Sequence, residues 1–327
     1  MATADETIIG QENLLKFFNK LAVLSSRKPV GGSFIFLGPS GSGKKTLANI
    51  LIGKLLCQDK PGLRPCGQCP ACSQLKAKVN GDVFWLSLNE DKKNISIDEI
   101  RGLLHALSLS ALGQGYRAAV IDRAETLSNQ AANALLKTLE EPNKKTVIIL
   151  LATNLNDLPK TVISRSQIFA LRPIQPNLVH DFLVERGAKR SQAKTLAALS
   201  LGWPGLAVKL SDDDVLSEHL AAAEVFFQSI SQDQNKRQAA LDKLLTKDLE
   251  AEEILSIWQT AARDLVLNKL SLVEWQRYGQ LLGHFQDKFN FSLAQAVAWY
   301  KATVQAKEYL AANVNQKLVL ENVIINL

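Results

Sequence analysis

The chain has 327 residues, of which 46% are hydrophobic and 21% are charged. This balance predicts a globular protein of two or three domains, at roughly 150 residues each, and excludes a largely disordered chain. No apolar run approaches the roughly 20 residues of a membrane span, and no secretory signal is visible, so we expect a cytoplasmic protein without membrane contact. The net charge of +6 is spread along the chain. It is as compatible with a solvated surface that carries extra lysines as with contact to nucleic acid.

The first half of the chain alternates apolar strands with helices. Strands are predicted at residues 33–37, 82–88, 117–122 and 146–152. A helix is predicted at 44–56, and capping signals at Ser96 and Ser128 predict two more. This alternation indicates an α/β fold whose parallel sheet has helices on both faces.

Strand signals fade after about residue 171, and the pattern is helical from there on. The predicted domains are therefore an α/β domain at 1–171, a small helical domain at 172–210 and a larger all-α domain at 211–327.

All four cysteines lie within residues 57–72, with the spacing C-x8-C-x2-C-x2-C. They are Cys57, Cys66, Cys69 and Cys72. Such spacing favours one tetrahedral zinc site of four thiolates over a set of unrelated reduced thiols. Because every ligand is a protein thiolate, the zinc would be structural. The surrounding prolines and glycines predict a loop.

A phosphate-binding loop of the form G-x4-G-K follows the first strand and opens the first helix of the α/β part. The residues concerned are Gly38, Gly41, Gly43, Lys44, Lys45 and Thr46. The residue after the motif lysine is normally a Ser or Thr that binds Mg²⁺, but here it is Lys45. Phosphate binding, by ATP or ADP, is left open, whereas the lysine argues against an ordered Mg²⁺ ion.

The third strand ends in Asp122 and Arg123. An ATPase of this architecture ends this strand with Asp-Glu, where the Asp helps to hold Mg²⁺ and the Glu polarises the attacking water. Arginine cannot act as that base. Glu125 lies two residues further on and is expected to point elsewhere. These departures predict a chain that does not hydrolyse ATP.

Taken together, these motifs resemble those of bacterial clamp loader subunits of the AAA+ class. Further cues are IIGQ at 8–11, NALLKTLEEP at 133–142, ISRS at 163–166 and ANVN at 312–315. The resemblance covers nearly the whole length and is strongest up to residue 170. It implies a AAA+ P-loop domain with a zinc-binding insertion, a helical lid and an all-α collar used for oligomerisation.

The resemblance also assigns roles to single residues. Arg165 matches an arginine finger that reaches the nucleotide of a neighbouring subunit, a role that suits a permanently charged guanidinium. Asn154, beside Thr153, falls where the γ-phosphate is sensed. The lid of active subunits carries Gly-x-x-Arg, and Gly205 replaces that arginine here.

The leading hypothesis is a non-hydrolysing clamp loader subunit of a DNA polymerase III. Its partners would be the tau/gamma and delta subunits in a hetero-pentamer, with the sliding clamp and primer-template DNA reached through the assembly. The alternative is an active ATPase motor of the tau/gamma type, against which Lys45, Arg123 and Gly205 argue. A third reading, an independent zinc-dependent nucleic-acid binding protein, is disfavoured because the cysteine cluster has few aromatic residues and no concentrated basic patch near it.

Overall fold

The computed structural model describes residues 8–89, 91–112, 115–143, 145–231, 233–247, 249–285, 290–312 and 314–327. The chain divides into two compact units. The first extends to Ala193 and includes Leu201–Leu206, and the second comprises Lys194–Ser200 and Ala207–Leu327. The finer division into three domains stays a prediction.

A five-stranded parallel sheet forms the centre of the first unit, with the strand order β2-β3-β4-β1-β5. Its strands are β1 (Gly32–Leu37), β2 (Val83–Leu86), β3 (Arg117–Ile121), β4 (Thr146–Ala152) and β5 (Gln167–Ala170). The four strands predicted from the sequence are confirmed. Strand β5 was not predicted, because an exposed edge strand of only four residues carries little apolar pattern.

Helices connect these strands and make up most of the rest of the chain. In the first unit they begin with α1 (Glu12–Ser25), α2 (Lys44–Leu56), α3 (Pro70–Lys76), α4 (Ile97–Ser108), α5 (Asn129–Glu140), α6 (Lys160–Ile163) and α7 (Pro176–Glu185). The later helices are α8 (Arg190–Leu199), α9 (Pro204–Lys209), α10 (Asp213–Ser231), α11 (Gln234–Leu244), α12 (Ala251–Lys269), α13 (Gly279–Gly283), α14 (Leu293–Ala311) and α15 (Gln316–Ile325). The largely helical second half agrees with the sequence. None of the described helices is long and apolar enough to cross a membrane.

The sheet is covered on both faces, as the alternation predicted. Because successive side chains of a strand point to opposite faces, Phe34 and Phe36 pack with α1 and α2, whereas Ile35 packs with α4 and α5. Every residue of β4 is buried, which explains its continuous apolar sequence.

The carboxyl ends of β1, β3 and β4 meet at one edge of this sheet, because neighbouring parallel strands run in the same direction. The residues that follow them are Gly38, Asp122 and Thr153. This edge is where ligands bind in open parallel sheets. The fold therefore gathers the sequence motifs in one place.

The second unit is built around α10, α12 and α14. Trp258 is fully buried, and its indole N–H donates to the Ala222 carbonyl at 2.9 Å. The buried carboxylate of Asp264 accepts hydrogen bonds from the backbone N–H groups of Arg277 and Tyr278, both at 2.6 Å. These bonds tie the loop after α12 to the helix itself.

A capping box begins α4, as the sequence predicted. The Ser96 hydroxyl accepts from the Glu99 backbone N–H, and the Glu99 carboxylate accepts from the Ser96 backbone N–H at 2.8 Å. Ser96→Ala should lower the free energy of unfolding by about 1 kcal/mol, measured by urea denaturation. Ser108→Ala, at the other end of α4, is the matched control and should change stability much less.

The same capping box predicts a pH dependence. Hydrogen bonds from the Ser96 side chain and backbone, helped by Lys92, lower the pKa of Glu99 to about 2. This stabilisation is present above the ordinary Glu pKa and is lost as the pH falls towards 2. The stability difference between wild type and Ser96→Ala should therefore shrink between about pH 6 and about pH 3. A constant difference would contradict the assignment.

Candidate functional site

The phosphate-binding loop joins β1 to α2. Gly41 and Gly43 have φ angles of +73° and +94°, in the left-handed region that glycine adopts without steric cost. The Lys44 ammonium donates to the carbonyls of Gly38 and Pro39, the second at 2.9 Å. The motif lysine is thus held by its own loop. Burial lowers the pKa of Lys44, while the charges of Glu125 and Asp122 oppose this shift.

Lys45 forms an ion pair with Asp122 across the same edge of the sheet. The Lys45 Nζ lies 2.7 Å from Asp122 Oδ2. The Asp122 side chain is only 14% exposed, so the ammonium takes up one of few accessible sides of the carboxylate. The sequence indicated that Lys45 removes a Mg²⁺ ligand. The structure adds that Lys45 places a positive charge on the carboxylate that would help to hold Mg²⁺.

Glu125 lies at this edge as well, which differs from the expectation that it points elsewhere. Its Oε1 accepts a hydrogen bond of 2.8 Å from the Thr153 hydroxyl, at the end of β4. Arg123 adopts a φ of +51°, and this left-handed residue turns the chain directly after β3. That turn brings Glu125 back to the sheet edge, where its charge acts on Lys44.

The beginning of α9 approaches the phosphate-binding loop closely. A Cβ atom on Gly205 would lie 2.6 Å from the carbonyl oxygen of Gly41. A Cβ atom on Gly41 would lie 2.7 Å from the backbone nitrogen of Leu206. Backbone therefore stands against backbone here, and any larger residue at position 205 requires the loop or the helix to move. The position that carries arginine in active subunits has no room for a side chain in this arrangement.

Thr46 and Asn154 were also predicted to contact the nucleotide, and their surroundings differ. Thr46 lies half-buried in the first turn of α2. The Asn154 side-chain oxygen accepts from the Asn156 backbone N–H at 3.0 Å and caps a short 3₁₀ turn. Asn154 thus has a local structural role that its position alone did not indicate.

The four cysteine sulfurs converge after α2. They lie within 4.8 Å of one another, and Cys57 Sγ and Cys69 Sγ are 3.9 Å apart. Four thiolates at Zn–S distances of about 2.3 Å around a tetrahedral ion would place sulfurs about 3.8 Å apart. The donor set therefore fits one tetrahedral metal ion. The expectation of loop throughout is wrong at Cys72, which lies in α3 because Pro70 favours the first turn of a helix.

Backbone amides turn towards these sulfurs. The N–H of Cys66 donates to Cys57 Sγ at 3.4 Å, and the N–H of Cys69 donates to Cys66 Sγ at 3.3 Å. Burial raises the pKa of the Cys57 and Cys72 thiols. Burial also opposes ionisation of Cys69, but hydrogen bonds from backbone and thiol groups outweigh it and lower its pKa to about 7. Buried thiols of this kind need a cation to ionise together.

Lys54 is a residue of this cluster that sequence reasoning missed. It is only 8% exposed, and its Nζ donates to the Arg64 carbonyl at 2.7 Å. Burial lowers the pKa of Lys54, while its interaction with Cys57 raises it. A lysine in the last turn of α2 carries no sequence signal for this position, since Lys45 of the same helix is exposed to solvent.

Arg165 lies between α6 and β5, and residues of its own chain engage all three of its nitrogens. Nε and Nη2 contact Glu140 Oε1, while Nη1 donates to the Thr161 carbonyl at 3.1 Å and to Ser164 Oγ at 3.3 Å. Glu140 is the second residue that sequence reasoning missed. It belongs to the motif at 133–142, but the motif does not say which side chain it meets.

Comparisons with known proteins place these features in a family. The family model described as "DNA polymerase III, delta subunit" matches residues 10–175. The delta' subunit of DNA polymerase III from Bacillus subtilis is 25% identical over 303 residues, which cover 90% of each chain. The tau subunit from the same organism is 33% identical over 169 residues, 52% of this chain and 29% of that protein.

A solved structure of a DNA polymerase III gamma subunit-related protein from Thermotoga maritima is 18% identical. It covers 94% of this chain and 97% of its own, with a TM-score of 0.49.

The C-terminal cue at 312–315 includes Asn313, which lies outside the described residues.

The clamp loader resemblance expected from the motifs is confirmed, and the relatives that span about nine-tenths of the chain are named delta' subunits. Because the family model covers half of the sequence, from two residues before α1 to the residue before α7, the chain belongs to the DNA polymerase III delta subunit family of clamp loader proteins.

Proposed function

We propose that this chain is a non-hydrolysing, delta-prime-type subunit of the clamp loader of DNA polymerase III. It would stand beside an ATPase subunit of the tau/gamma type and donate Arg165 to the nucleotide site of that neighbour. The observation that carries this proposal is the ion pair between Lys45 and Asp122. In an active site of this architecture, the position of the ammonium belongs to the magnesium ion.

Three further observations point the same way. Arg123 stands where the water-polarising carboxylate is needed. Gly205 stands where the lid of active subunits carries an arginine. It lies against Gly41, so this position has no room for a side chain. The positive charges of Lys44 and Lys45 are set against the negative charges of Glu125 and Asp122. Carboxylates of the chain therefore already offset part of the positive charge that the loop would offer to a triphosphate. Binding of ATP or ADP here, and of Mg²⁺ with it, is not expected to support turnover.

The second candidate function, an ATPase motor of the tau/gamma type, rests on the similarity of the first half of the chain to a tau subunit. The observation in favour of the motor is the position of Glu125. Although Glu125 is two residues beyond the expected glutamate position, its carboxylate lies near Lys44 at the edge of the sheet. It would still lack the serine or threonine that binds Mg²⁺. The proposal therefore remains the non-hydrolysing subunit.

We also propose that the cysteine cluster holds a structural zinc ion. Tetrahedral sites of four thiolates are typical of zinc. Cys57, Cys66, Cys69 and Cys72 would each supply one thiolate, leaving no position for a water molecule. The ion would join the loop after α2 to the first turn of α3, a region that contains little apolar core of its own.

The partner subunits, the sliding clamp and primer-template DNA would be reached in the assembled hetero-pentamer, in the cytoplasm.

The first prediction of the proposed function concerns ATP turnover. The purified chain should not hydrolyse ATP with Mg²⁺, with or without primed DNA, because Lys45 and Arg123 remove the metal ligand and the base. Steady-state phosphate release measures this, and Lys44→Ala protein purified in parallel reports contaminating ATPases. Turnover that disappears in Lys44→Ala would move the chain to the motor class.

The second prediction concerns Arg165. Arg165→Ala should leave the chain folded and assembled but slow the DNA-stimulated ATPase of the reconstituted loader, because the neighbour loses a charge that stabilises its transition state. An arginine finger is worth about 10³–10⁵ in rate, and we expect a smaller loss, roughly tenfold, since other interfaces keep their own fingers. Lysine should rescue poorly because it lacks the planar fork.

Normal assembly with unchanged ATPase and clamp loading would show that Arg165 is a surface arginine. Arg172→Ala, which removes another arginine of the same unit, controls for the loss of one positive charge.

The third prediction concerns the metal. Freshly purified, reduced protein should contain one zinc per chain, measured by elemental analysis. Cys69→Ser should lose most of it and unfold the segment around α3 while the sheet stays folded, and Ser73→Ala on the same helix should keep the zinc. Zinc affinity should fall as the pH is lowered, because protons compete for the thiolates. Zinc well below one equivalent in the wild type would contradict the site.

A further inference from the structure

The side chain of Glu140 meets Arg165 along one edge of the guanidinium. A guanidinium has five N–H donors arranged in a rigid fork. Nε and Nη2, which form its side edge, both contact the same oxygen, Glu140 Oε1. Nη1 donates to the Thr161 carbonyl and to Ser164 Oγ. The plane of the guanidinium is therefore fixed from two directions.

Both partners are attached to rigid parts of the core. Glu140 is the last residue of α5 and follows Leu139, which is 3% exposed. Arg165 follows α6, whose Val162 is fully buried in the same apolar cluster as Leu139. Because these neighbours are close-packed, the backbone positions of the carboxylate and the guanidinium are set by the core and not by the ion pair itself.

The ion pair contributes little to folding. The side chains of Arg165 and Glu140 are 33% and 46% exposed, and pairs so accessible to water are typically worth less than about 1 kcal/mol. A contact with so little effect on stability, made to a residue that is proposed to act in a neighbouring subunit, calls for a different explanation. Its geometric effect is to select one orientation of a long, flexible side chain.

We propose that Glu140 is the positioning residue of the arginine finger. It holds the side edge of the guanidinium, so that the end edge, formed by Nη1 and Nη2, is the edge that meets the phosphate oxygens of the neighbour. The nucleotide replaces the weaker contacts of Nη1 with Thr161 and Ser164, while the contact with Glu140 persists. The inference rests on the proposed function of Arg165.

The experiment uses the complete loader, reconstituted with wild-type, Glu140→Gln, Glu140→Ala, Glu141→Ala or Arg165→Ala protein. Glu140→Ala should lower the kcat of the DNA-stimulated ATPase by roughly threefold to tenfold with the KM for ATP unchanged, because misplacement of a catalytic group acts on the transition state. Glu140→Gln keeps an oxygen acceptor without the charge and should fall between Glu140→Ala and wild type. Glu141→Ala removes the adjacent carboxylate and should match wild type.

A double variant separates positioning from other effects. Glu140→Ala added to Arg165→Ala should cause no further loss, since a residue that acts through Arg165 has nothing left to position. A further loss in the double variant, a kcat equal to wild type in Glu140→Ala, or an increase in kcat would each overturn the inference.

If Arg165→Ala slows the loader but Glu140→Ala does not, only the positioning role fails. If Arg165→Ala itself has no effect, the proposed function fails and the positioning role fails with it. Thermal melting and gel filtration of each loader check folding and assembly.

Discussion

Strand β4 is buried on both faces, and the arrangement of the first unit depends on this. Its seven residues are apolar apart from Thr146, and each pairs or packs with covered neighbours. A strand in this position must lie in the middle of a parallel sheet, with β1 on one side and β3 on the other. The carboxyl ends of the three strands then lie together, which brings the phosphate-binding loop, Asp122 and Thr153 to one edge. The site exists because the core has this order.

At that edge charged side chains of the chain contact one another or neighbouring polar groups. An active nucleotide site keeps a lysine and a metal-binding carboxylate ready for a ligand, at a cost in stability. Here Lys45 is paired with Asp122, Lys44 is held by loop carbonyls, and Glu125 is bonded to Thr153. Substitution of one residue type, serine or threonine by lysine, therefore does more than delete a metal ligand. It also places a positive charge 2.7 Å from the Asp122 carboxylate.

Two other sites of the first unit lie away from this edge. The cysteine cluster organises the segment between α2 and β2, where a buried lysine, Lys54, adds a positive charge near sulfurs that would carry negative charge when metal is bound. Arg165 lies after α6, where the chain holds it through Glu140 and two neutral oxygens. Under the proposed function, a subunit that does not hydrolyse ATP would hold a structural metal ion and contribute Arg165 to a neighbour, since neither role requires an active phosphate-binding loop.

The amino-acid sequence by itself determined the features that are local or periodic. The long apolar strands, the capping box at Ser96, the phosphate loop with Lys45 in place of serine or threonine, and the metal-like spacing of the cysteines each depend on residues that are close together in the sequence. The tertiary structure alone decided which distant groups meet. Edge strand β5 was invisible because four exposed residues carry no clear pattern, and the helix at Cys72 was hidden by prolines that also signal loops. Glu125 returned to the sheet edge through one left-handed residue, Gly205 met Gly41 backbone to backbone, and Glu140 met Arg165 from a different helix. Such contacts depend on how elements pack across the core, and packing joins residues whose separation along the chain leaves no mark in the sequence.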